Sequence, residues 1–175
     1  FADSGDFSLA GSNSMKTYDV LEEDFTELTL GSEDELRFVT ANSFQLGDGY
    51  LLYAFEHQQA NGHFVLDQDV RKFNALVKFT GNLGDIPSRI TFSGYDSQWA
   101  STNQVPQRAV DSGMISRFGF IDPDLGGESS RYSVTGNFEF ENWDLNLYSS
   151  SYYMSLINNP TYTLNDPVNG DEFEQ

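Results

Sequence analysis

Arg108, Arg117 and Arg131 are half of the six arginines in a 175-residue chain with 27 acidic side chains, nine lysines and arginines, and a formal charge of −18. A guanidinium presents a planar fork of donors that suits carboxylates. Three of them in one region of an acidic background could hold an anion through charge-assisted hydrogen bonds. The plainer alternative is that they pair with acids of their own segment. Two metal arrangements can also be drawn. Glu56, His57 and His63 are zinc-type ligands, but the histidines flank a polar loop without the i, i+4 helical spacing of two ligands on one face. Asp122, Asp124 and Glu128 in "IDPDLGGES" offer oxygens for calcium, yet the alternation of an EF-hand loop is missing. A Pro-Asp turn followed by Gly126-Gly127 accounts for that stretch more simply. Serines are plentiful, but there is no G-x-S-x-G elbow and neither histidine stands in a triad context. Carboxylate pairs are too common here to single out an acid and a base. No enzyme and no cofactor is expected.

Composition narrows the partners. The negative charge repels phosphate backbones and anionic headgroups, so nucleic acid is a poor partner. The chain has no cysteine, which excludes disulfides and thiolate metal sites. Aromatic residues make up 15% of it, which argues against disorder. No apolar run approaches the roughly 20 residues of a membrane helix. The longest, "YLLYAF" at Tyr50 to Phe55, has the length of a strand. The chain starts at Phe1 without a signal-type segment and stops at "NGDEFEQ" without a terminator, so it reads as a piece of something longer.

The elements that must position these residues are strands. "RYSVTGNFEF" alternates without a slip, with Tyr132, Val134, Gly136, Phe138 and Phe140 on one side and Arg131, Ser133, Thr135, Asn137 and Glu139 on the other. "VRKFNALVKFT" sets Phe73, Ala75, Val77 and Phe79 against Lys72, Asn74 and Lys78. "LRFVTANSFQL" places Leu36, Phe38, Thr40, Asn42 and Phe44 on one face, and in "SRITFSGYDSQW" Ile90 and Phe92 oppose Arg89, Thr91 and Ser93. "DFSLAGSNSMKTYDV", "FTELTL", "YLLYAFEH" and "WDLNLYSSSYYMSL" are further strand-length segments. Ala100 to Ser129 and the final "INNPTYTLNDPVNGDEFEQ" read as loops. Short turns at Gly47–Gly49, Gly81–Asp85 and Glu141-Asn142 alternate with long polar loops after His57, Trp99 and Leu156. In an antiparallel meander every second connection lies on one side, so the turns share one rim and the loops the other. That asymmetry fits an outer-membrane barrel, and Tyr50, Trp99, Trp143, Tyr152 and Tyr153 near strand ends would suit its aromatic girdles. The strand pattern by itself fits a soluble β-sandwich or propeller equally well.

"WASTNQVPQRAVDSGMISRFGFIDPDLGGESSRYS", Trp99 to Ser133, resembles the third external loop and flanking strands of TonB-dependent receptors. "YTLNDPVNGDEFEQ" is similar to the next external loop of the same subgroup, and "GDFSLAGSNSMKTYD" to the last plug strand entering the barrel. The resemblance runs along essentially the whole chain in the family's order. It implies an all-β up-and-down meander, with residues 1–21 as the end of the plug domain. Residues 22–175 would be about the first seven strands of a barrel of about 22. It implies a Gram-negative outer membrane, lipid against the apolar face, and active import of a scarce solute, by default a ferric siderophore or similar chelate. The energy-transducing TonB partner would act through plug regions absent here. Arg108, Arg117 and Arg131, with Trp99 and Gln104, then become candidate contacts to an anionic chelate. The alternative from another class is a soluble secreted β-sandwich that binds carbohydrate through Trp99 and Tyr95. In that case a second sheet must cover Val134, Phe138 and their neighbours.

Overall fold

Nearly every described residue belongs to a strand or to a link between two strands. The computed structural model describes residues 16–102, 104–158 and 171–175. Its strands are β1 (Phe25–Leu30), β2 (Leu36–Leu46), β3 (Gly49–Ala60), β4 (Val70–Leu83), β5 (Ile86–Ala100), β6 (Gly126–Phe140), β7 (Trp143–Asn158) and β8 (Asp171–Glu174). One short helix, α1 (Gln107–Asp111), lies in the longest described loop. The strands form a single open sheet in the order of the chain, and every neighbouring pair is antiparallel. The expected meander holds: "VRKFNALVKFT" lies between "YLLYAFEH" and "SRITFSGYDSQW".

Several boundaries differ from expectation. β6 begins at Gly126, within a stretch expected to be loop, because Gly126-Gly127 lets the backbone approach Trp99 and Ser155 where a side chain would collide. The end of the chain is not all loop, since Asp171–Asn158 and Glu174–Ser155 close a short ladder to β7. The expected first strand, Asp6 to Val20, lies largely outside the described residues, and its described part, Lys16 to Val20, is not a strand. Two of the short turns are two-residue hairpins led by glycine at positive φ, Gly47-Asp48 at 59° and Gly84-Asp85 at 65°. A leading glycine gives the type II′ sense that matches strand twist, so glycine precedes the aspartate here and Asp-Gly is not the turn.

The registers are unbroken, so the two faces of the sheet follow by period two. Face A carries Leu28, Phe38, Phe55, Phe73, Val77, Phe79, Ile90, Phe92, Val134, Phe138 and Leu147. Most of these are half open to the surroundings, with Phe73 at 46%, Val134 at 47% and Leu147 at 55% exposure. Aromatic contacts run along it from Tyr53 to Phe55 to Phe73. At its turn rim Phe140 stacks on Trp143 with ring centroids 4.0 Å apart. Its isolated hydroxyls are satisfied within the sheet: Thr26 meets Thr40 at 2.9 Å, and Ser88 donates to the carbonyl of Ile86 at 2.8 Å. Of the residues expected to form girdles, Trp143 and Tyr153 are on this face. Tyr50, Trp99 and Tyr152 are on the other, because their registers place them beside Thr80, Gly127 and Arg131.

Face B is polar. Glu56 at its centre accepts from Arg37 Nε at 2.7 Å, from Asn74 and from Lys72 Nζ at 3.3 Å, and Arg37 also reaches Glu27. The fully buried apolar side chains among the described residues are only Ala41, Leu52 and Leu125, and the first two lie on this polar face. A conventional two-layer core would put them on face A.

Candidate functional site

The N-terminal described segment lies across face B as a strap. Lys78, near the middle of β4, is 4% exposed. Its ammonium donates to the carbonyl of Thr17 at 3.0 Å, the hydroxyl of Thr17 at 3.1 Å and the carbonyl of Tyr18 at 3.1 Å, and it pairs with Asp19 Oδ1 at 2.6 Å. The same Asp19 oxygen accepts from Thr80 Oγ1 at 3.0 Å and lies 3.4 Å from Arg89 Nε. The strap then crosses to β2, where Leu21 N donates to Ser43 Oγ at 2.9 Å. Leu52 is paired with both Ser43 and Lys78, so the strap's two attachments bracket this buried leucine. Burying an ammonium is costly unless every proton is bonded, and here four acceptors meet it. The hydrogen bond from Lys78 holds the Asp19 carboxyl below the usual carboxylate range, against a partial desolvation; Thr80 and Arg89 push it the same way as Lys78.

Beside the strap is an open recess of about 660 Å³. Its floor is the polar face of β4 to β7, including Thr91, Ser93, Thr135, Asn137 and Asn146. Asn137 donates to Asn146 at 2.6 Å across that floor. Three cations, Lys16, Lys78 and Arg89, and three acids, Asp19, Glu139 and Asp144, line it. The arrangement can hold a charged polar solute or a polypeptide segment.

The residues singled out by sequence are distributed differently. Arg131 stands on face B, with its Nε 3.2 Å from Ser150 Oγ, beside a shallow hollow shared with Tyr95 and Asn74. Trp99 ends β5 on the same face and packs its ring near Gly127. Arg108 is exposed on α1, Gln104 is exposed just before it, and Arg117 is exposed with its guanidinium 5.8 Å from the ring centre of Phe118. Among the described residues no ion pair involves these three arginines, and no hydrogen bond joins them to one another.

Neither metal arrangement forms. Glu56 and His57 are consecutive in β3 and point to opposite faces, while His63 lies in the next loop, 3.7 Å from Glu33. Asp122 accepts the backbone N–H of Asp124 at 3.0 Å in the expected turn, while Glu128 belongs to β6. No metal-capable group of three or more acids and histidines occurs among the described residues.

At the loop rim the connections bond to one another in sequence. Asn61 joins the first loop through Glu33 O at 2.8 Å and Asp34 at 2.9 Å. Val65 N donates to Phe118 O at 2.9 Å, Phe64 meets Phe118 edge-on, and Ala100 N donates to Gln68 O at 2.6 Å. The strap was the part that sequence reasoning missed. The alternation places Lys78 on the polar face, but nothing local indicates that Asp19 is its partner.

Fold and site together define an open antiparallel meander whose polar face is crossed by a strap. No family model, no curated protein and no solved structure matches the chain.

Proposed function

We propose that this chain is part of the wall of an outer-membrane β-barrel of the TonB-dependent receptor kind, importing a scarce solute, with a ferric chelate as the first candidate. The observation that carries the reading is the height of the apolar band on face A. Along β4 the positions Phe73, Ala75, Val77, Phe79, Gly81 and Leu83 alternate outward without a charge. At about 3.3 Å per residue and a tilt of about 40°, they cover about 25 Å of depth, the height of a bilayer's apolar layer in such barrels. The ion pairs around Glu56 and Asp19, the recess and the strap lie on the other face, which would look into the lumen. The strap, residues 16–21, would be the end of a plug passing into the wall. Short turns on one rim and mutually bonded loops on the other agree with periplasmic and external sides.

A soluble sandwich would need a second layer over face A, and the described residues supply none. The test is uptake of radioactive iron from a panel of ferric chelates by the bacterium that encodes the chain, with and without the gene, and with and without a protonophore. Loss of energised uptake of at least one chelate on deletion is expected. Unchanged uptake across the panel, with the protein absent from outer-membrane fractions, overturns the reading.

A further inference from the structure

We propose that Lys78, Thr80 and Arg89 form a carboxylate-binding site in the recess, that Asp19 is its internal occupant, and that a free dicarboxylate competes with Asp19 and releases the strap. Three donors converge on one oxygen, Asp19 Oδ1: Lys78 Nζ at 2.6 Å, Thr80 Oγ1 at 3.0 Å and Arg89 Nε at 3.4 Å. All three are rooted in the sheet. Lys78 and Thr80 are two residues apart on β4, and Thr80 is directly opposite Arg89 on β5. Their geometry is therefore set by the ladder and does not depend on the strap that fills it.

The neighbourhood suits an incoming anion. Asp19 and Arg89 are 46% and 42% exposed at the edge of the recess, so a competitor can reach them before the strap moves. The recess is charge-balanced with the strap in place, and when the strap lifts Lys16 leaves with Asp19, so that Lys78 and Arg89 remain with Glu139 and Asp144 across the recess. In a chain of charge −18, two cations that converge on one point are a local anion-binding spot within a surface that otherwise repels anions. A departing strap also strips four acceptors from a buried ammonium, which a bound carboxylate would replace in part. The donors belong to the fold whatever the chain does; that solutes reach them rests on the import reading above.

The test is cleavage of the chain, folded in detergent micelles, by lysyl endopeptidase. The chain's three lysines are Lys16 at the strap and Lys72 and Lys78 in β4, so the second pair reports unfolding separately. Malonate is compared with sodium chloride at equal ionic strength and with neutral malonamide. Malonate is expected to speed cleavage after Lys16 about tenfold, equivalent to about 1.4 kcal/mol, with β4 still protected. Asp19→Asn, which leaves the sheet untouched, should be cut fast without malonate, and Arg89→Gln should lose most of the malonate response. Equal rates in malonate and chloride would make the strap a fixed clamp and overturn the proposal. So would a full malonate effect in Arg89→Gln, which would mark a general anion effect. Failure of iron uptake in the bacterium would leave these rates unchanged, so the two readings fail separately.

Discussion

Asp19 ties a short irregular segment to a buried lysine, and its titration should be visible. Its pKa is depressed in the folded state, mainly by the hydrogen bond from Lys78. The attachment it provides is therefore complete above the unfolded value of ~3.9 and is lost as pH falls through the lower folded value. The charged groups that face Asp19 are Lys78 and Arg89 on the sheet, with Lys16 on the strap and Glu139 and Asp144 across the recess. A spin label on Val20→Cys, unique in a cysteine-free chain, should become more mobile below about pH 4. Asp19→Asn should be mobile already at neutral pH and show little further change. The exposed arginines call for a different measurement. If the import reading holds, changing Arg108 and Arg117 together to alanine should weaken binding of an anionic chelate while leaving assembly intact. The loss should be about 1.5–3 kcal/mol per contact if the ligand is desolvated there, and under about 1 with strong salt dependence if the contacts are at the rim. Equal binding by the double mutant and the parent at low and high salt would show that neither arginine touches the ligand.

At the scale of strands, neighbouring residues on β6 have opposite surroundings. Val134 is 47% exposed on face A, and Thr135 lines the recess on face B. Val134→Arg should cost about 2–4 kcal/mol in folding into lipid vesicles if it lies near the midplane, and Thr135→Arg much less. Similar costs at both positions would remove the case for a lipid-facing wall. Strict alternation is what made β4 and the second half of β6 legible, because each side chain reports its face independently. The first half of β6 was hidden: glycines and serines from Gly126 to Ser130 carry no apolar period. β8 was hidden too, since four residues, Asp-Glu-Phe-Glu, are too few to show a period. The hairpin at Gly47 was legible as a turn, but which residue takes positive φ depends on the register, which no single strand fixes.

The described strands form a single layer. The chain's accessible surface is 12516 Å², against about 8,600 Å² for a compact monomer of this mass. With face A bare and β1 presenting an unpaired edge, the isolated chain should aggregate in water and acquire stable strand structure only with detergent or lipid. Sedimentation and circular dichroism with and without detergent measure this. A monomer that melts cooperatively in plain buffer would refute it. The polar site was legible only as a face: the sequence marks Arg89, Lys78 and Thr135 as polar-side residues, but long-range partners across the sheet leave no local signal.

Strand pairing in this sheet links only chain neighbours, and each hairpin zips with little regard to strands further away. The strap is different, because Thr17 and Lys78 meet across 61 positions. Ser43, Lys78, Thr80 and Arg89 must all face the same side for it to seat. A slip of one residue in β2, β4 or β5 would turn at least one of them away. Closing so long a loop adds only modest entropy cost, since that cost grows with the logarithm of length. The strap therefore acts as a long-range check on alignment: it seats only when three separate strands are all in register.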